Sequence, residues 1–143
     1  LLHDEGKAAR IWQEAMGAPA EGGPWAKTGA AGNGRALLGY RHEFGSLLHA
    51  AAGDRVPEGP TRDLVLHLIA AHHGRARPLI PTAGCEAAAP SRLEAEAGEA
   101  ALRFARLQRR YGPWGLAFRE AVLRAADWRA SAEADRAAED GHG

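Results

Sequence analysis

Apolar residues return at helical spacing along most of this chain. Ala8, Ile11, Trp12 and Ala15 form one stripe and predict a helix from about Leu1 to Met16. His3, Asp4 and Lys7 lie three and four positions apart and share another face of it. Residues 17–35, rich in Gly, Pro and Ala, predict a long loop, which in a compact domain is functional or mobile. That loop holds Trp25 and Lys27; Trp25 reads first as an anchor, with substrate contact as the alternative. Leu37, Tyr40, Phe44, Leu47 and Leu48 predict a second helix over Ala36 to Ala52, with His42 and His49 on the side of Leu38. A third, Thr61 to His73, is apolar nearly all round through Leu64, Val65, Leu66, Leu68 and Ile69, the pattern of a centrally buried helix. Gly74 follows where a C-cap prefers it. Residues 75–90 predict a second loop, broken by Pro78, Pro81 and Pro90.

Ser91-Arg92-Leu93-Glu94 has capping-box spacing. Behind it Leu93, Ala97, Ala100, Phe104, Leu107 and Tyr111 give the clearest helical repeat of the chain. Gly112-Pro113 closes that helix and opens another. In the last helix Trp114, Phe118, Ala121, Val122, Ala125 and Trp128 are expected to face the core, and Leu116, Glu120, Leu123, Asp127 and Ser131 form the adjoining face. The polar end, 133–143, is expected to fray. The prediction is an all-α globule of about five helices with two long loops: one domain over 1–132 and a tail over 133–143.

Composition supports helix over sheet, since alanine is abundant and β-branched residues are scarce. The 143 residues suit one domain with a real core. With 18 basic and 18 acidic side chains there is no global positive field to grip nucleic acid, so a local patch or another component must deliver it. Arg103, Arg106, Arg109 and Arg110 read as a solvated helix face interleaved with acids. Cys85, the single cysteine, excludes an intramolecular disulfide and a Cys-rich zinc site. No apolar run approaches spanning length and no signal peptide is visible, so the expected location is cytoplasmic, with no membrane partner. The chain opens on Leu1-Leu2, as a domain cut from a longer polypeptide would.

Histidine and carboxylate are ligands that divalent first-row metals take without a thiolate. The His3-Asp4 pair is therefore the most telling feature, because a carboxylate has two oxygens and can bridge two cations. His72-His73 stand at a helix C-terminus, where the macrodipole favours a cation. His42 and Asp127 are each polar beside an apolar face, and a carboxylate there costs several kcal/mol unless paired or metal-bound. The plain alternative for Asp127 is a salt bridge to Arg124 or Arg129. His67 reads as a hydrogen-bonded core residue and His49 as a packing or supporting one, while His142 carries no assignment.

His3-Asp4-Glu5-Gly6-Lys7, then Arg41-His42-Glu43 with Ser46, then His72-His73-Gly74-Arg75 with Arg77-Pro78, then Ala126-Asp127-Trp128 with Ser131, resembles the ordered motif set of the HD superfamily. The likeness is closest to the HD nuclease domain of the CRISPR-associated type I helicase–nuclease, and it runs from residue 3 to residue 131. It implies two divalent metals (Mn, Fe, Co, Ni or Mg), one held by His3, Asp4 and Asp127. Asp4 would bridge to a second held by His42, His72 and His73, with Asp4 and Lys7 as the catalytic pair. Lys7, Ser131, Arg75 and Arg77 would meet the substrate; for the two arginines, surface salt bridging is an equal alternative. The family supplies a further histidine upstream, where this chain has two leucines, so the His42, His72, His73 position is expected to be the firmer.

The resemblance thus implies a metal-dependent nuclease that hydrolyses single-stranded DNA, partnered by a helicase domain or subunit and a CRISPR effector complex. A small-molecule HD phosphohydrolase acting on nucleotides or cyclic nucleotides is the alternative. A metal-free helical module whose histidines only pack is the third reading.

Overall fold

Gly6 sets how the first segment meets the rest of the chain. In the computed structural model, which describes residues 1–19, 24–25 and 33–140, Leu2–Ala8 coil as a 3-10 helix and Arg10–Met16 form α1. The sequence predicted one helix here; extended backbone at Ala9 (φ −61°, ψ 141°) divides it in two. The division lets both pieces reach the core, since Leu2, Ala9, Ile11 and Trp12 all pack against it. A Cβ built on Gly6 would stand 2.0 Å from the His42 carbonyl oxygen, so the 3-10 segment lies backbone against backbone on the next helix.

That helix, α2, spans His42–Ala52 and begins later than the periodicity suggested. A short 3-10 turn, Gly34–Leu37, ends with Leu38 and Gly39 in left-handed backbone (φ 47° and 85°), which reorients the chain before α2 starts. Leu38 is exposed, so it shares no face with His42. The central position expected for the third helix belongs to α2, where every residue from His42 to Leu48 is buried. It packs on the 3-10 segment and on α3, Arg62–Ala71. Arg62 donates to the carbonyls of Ala51 (3.0 Å) and Val56, a cation placed at the C-terminus of α2 as the helix dipole favours.

The run Pro90–Asp140, α4, is broken at Gly112, whose φ of 67° and ψ of 167° are not helical. Counting its two arms separately, the described residues form five α-helices, beside the two 3-10 segments, in an all-α fold. Pro90 occupies the first turn, and the Ala89 carbonyl accepts from the N–H groups of Arg92 and Leu93. Ser91 is therefore inside the helix and the expected capping box does not form, because proline's fixed φ already suits helix entry. Leu93, Ala100 and Leu107 of the first arm are buried as their spacing predicts. Arg106 makes a two-pronged pair with Asp63 (2.7 and 3.0 Å), and buried Arg103 reaches Glu96 and Asp63, so these arginines staple α4 to α3.

The second arm is turned over relative to the sequence reading. Trp114, Phe118, Val122 and Trp128 face solvent, while Leu116 and Glu120 are buried and Leu123 and Asp127 partly so. Two polar pairs fix this orientation: Glu120 Oε1 with His67 Nε2 (2.8 Å), and Asp127 Oδ1 with His3 Nε2 (3.0 Å). The arm remains helical to Asp140 where fraying was expected from 133. Among the described residues, no helix is long and apolar enough to cross a membrane. Lys27 and His142 lie outside the described residues.

Candidate metal centre

Ser46 and Tyr40 hold the strand of backbone that presents the His-Asp pair. The Ser46 hydroxyl, fully buried, accepts from the Gly6 N–H and donates to the His3 carbonyl, both at 2.8 Å. Tyr40 donates its hydroxyl to the Gly6 carbonyl at 2.8 Å. These three bonds replace the i→i+4 ladder that a 3-10 segment lacks, and they lock His3 and Asp4 against the start of α2. Nothing in the sequence pattern assigned them that task.

His42 enters at the first turn of α2, with Trp12 edge-on to its ring (centroids 4.9 Å apart). Buried Glu43 lies 3.7 Å from His42 Nδ1 and is itself held by Arg41 at 2.6 Å. His72 ends α3, and its Nδ1 donates to the Ile69 carbonyl at 2.7 Å. That bond puts the ring proton on Nδ1 and leaves the Nε2 lone pair free for a cation. His72 Nε2 faces His42 Nε2 at 3.3 Å, and His73 completes a group of three imidazoles with ligand atoms within 4.8 Å of one another. Two nitrogens each about 2.1 Å from one ion at a tetrahedral angle stand about 3.4 Å apart, so the donor set fits a divalent metal.

Beside it His3, Asp4 and Asp127 form a second such group, also within 4.8 Å. Asp4 lies between the two: Oδ1 is 3.5 Å from His42 Nε2, and Oδ2 is 3.8 Å from His3 Nε2. Lys7 Nζ sits 2.7 Å from Asp4 Oδ1. Burial pushes the Asp4 carboxyl up, but hydrogen bonds from His42 and Lys7, with the charges of Lys7 and His3, outweigh it and hold the group well below the usual carboxylate range. Burial, with the neighbouring rings adding to it, depresses His72 to about 4, and it also lowers His73. His72 and His73 are thus held toward the neutral form beside an ionised Asp4, the protonation states in which such groups can bind a metal.

Six of the residues singled out in the sequence, His3, Asp4, His42, His72, His73 and Asp127, meet here with Lys7. Asp127 pairs with His3, not with the neighbouring arginines: Arg124 donates to the His72 carbonyl (3.4 Å) and Arg129 pairs with Glu133. Ser131 is half-buried one turn beyond Asp127. Arg75 is exposed after the double histidine. Arg77 lies 3.3 Å from buried Glu120, which also holds His67, so a salt bridge of the kind weighed for it in the sequence is formed. His67 is the hydrogen-bonded core residue its position suggested. His49 is exposed and lines a groove beside Asp4 and Lys7. Comparison with known family models, with curated proteins and with solved structures returns no match.

Proposed function

We propose that this chain is an HD-type, metal-dependent phosphodiesterase that cuts single-stranded DNA, acting as the nuclease part of a type I CRISPR interference system with a helicase and an effector complex. The observation that carries the reading is the position of Asp4, one carboxylate between two ready-made groups of ligands. His42, His72 and His73 would hold one divalent ion and His3 with Asp127 the other, and Asp4 would serve both. A bound metal pair supplies hydroxide near neutral pH and offsets charge on the phosphate. Lys7, already at the carboxylate, is a compact cation within reach of the phosphate that such a centre binds. The even balance of charge suits a domain to which a motor feeds its strand.

The test is cleavage of circular single-stranded DNA in Mn²⁺, set against phosphate release from nucleotides and cyclic nucleotides. Cleavage of the circle is expected, with loss of at least about a hundredfold in Asp4→Asn and in the His72→Ala/His73→Ala pair. Activity on nucleotides only would replace this reading with the small-molecule one. Metal content in the double variant equal to that of the parent would point to histidines that merely pack.

A further inference from the structure

The groove beside the metal centre has a floor and a rim of different chemistry. It encloses about 410 Å³ and is lined by Asp4, Glu5, Lys7, Trp25, His49 and Arg55. That volume falls within the range of about 300–1,000 Å³ typical of ligand clefts. Asp4 and Lys7 belong to both groove and centre, so a molecule whose phosphate reaches the centre extends into this space.

Gln13 ties Trp25 down there. The Gln13 amide accepts from the Trp25 N–H (2.8 Å) and donates to the Trp25 carbonyl (3.0 Å). The same amide also donates to the Lys7 carbonyl. One glutamine thus ties the backbone of Trp25 to the backbone of the lysine at the centre. With its main-chain groups occupied, Trp25 still leaves 39% of its surface open. A structural anchor buries its indole; Trp25, held by its backbone and more than a third exposed, keeps surface that a base could stack on. Arg55, ion-paired with Glu5, adds a guanidinium at the rim, and His49 a second aromatic ring.

We propose that Trp25 stacks a nucleobase of the bound strand, the base next to the phosphate at Asp4 and Lys7, and that Gln13 is the positioning residue that sets the spacing. This rests on the nuclease reading. Stacking on an aromatic face tolerates any base, as a nuclease without sequence preference requires. It also supplies grip that a chain of zero net charge cannot draw from phosphate contacts alone.

Binding without turnover separates this proposal from the nuclease assignment. Fluorescence anisotropy of a labelled short oligothymidylate in Ca²⁺ is compared for the parent, Trp25→Ala and Trp25→Phe. Trp25→Ala should bind about tenfold more weakly and Trp25→Phe close to the parent. An abasic oligonucleotide should bind all three alike, at the weak level of Trp25→Ala on the normal strand. Hydrolysis of bis(p-nitrophenyl) phosphate by the parent in Mn²⁺ reads the chemistry of the centre separately. Equal affinity of parent and Trp25→Ala for oligothymidylate overturns the proposal, as does a loss that persists on the abasic strand. A parent that binds the strand through Trp25 but cleaves neither substrate overturns the nuclease reading and leaves the stacking site standing.

Discussion

His72 shows how a single hydrogen bond and its surroundings decide what a residue can do. Its Nδ1 proton is held by Ile69, its other nitrogen faces His42, and burial depresses its pKa to about 4. In the unfolded chain the same imidazole titrates near 6.5, so the unfolded state takes up the proton first. The stability that His72 contributes is therefore complete above about pH 6.5 and drains away as pH falls toward 4, by about 3 kcal/mol in all. His67 and His73 are shifted the same way by burial and add to the trend. Urea midpoints of the metal-free protein should fall steeply between pH 6.5 and 4.5, and His72→Gln should flatten that fall. A midpoint constant across this window would contradict the buried, neutral ring.

At the scale of elements, the fit of the 3-10 segment on α2 depends on Gly6. A methyl group there meets the His42 carbonyl oxygen and the Ser46 nitrogen at 2.0 and 2.8 Å, both backbone atoms that cannot swing aside. Gly6→Ala should destabilise by about 3 kcal/mol and weaken metal binding, because Asp4 and His42 must part. Gly98→Ala, in α4 with open space around it, should stabilise by about 0.5–1 kcal/mol. Denaturant titration of both variants checks the opposite signs. The existence of the helices was legible because Leu93, Ala100 and Leu107, or Phe44, Leu47 and Leu48, repeat at the right interval. The facing of the last arm was not. Its Trp114–Trp128 stripe is the more apolar, yet Glu120 and Asp127 turn inward because their partners, His67 and His3, wait on distant segments. Periodicity weighs apolar area and is blind to such pairs. The six candidate ligands could be named from residue types in order along the chain. Ser46, Tyr40 and Gln13 could not be given their roles, since they act on backbone atoms that only tertiary structure brings near.

Across the whole molecule, a ligand that binds only the folded form raises its melting temperature by mass action. Mn²⁺ at about a hundred times its Kd should stabilise by about 2.7 kcal/mol, which for a domain of this size is a rise of roughly 8 °C. Calorimetry with and without chelator reads this directly, and the His72→Ala/His73→Ala pair should lose most of the shift. Of the proposed ligands, five come from residues before Gly74, and Asp127 arrives from beyond the break at Gly112. His3 and Asp127 are 124 positions apart in the chain. The proposed ion, seated between them, would act as a buckle between the first segment and the last arm. On the proposed reading, drawing it out would loosen the last arm and silence the chemistry in one event.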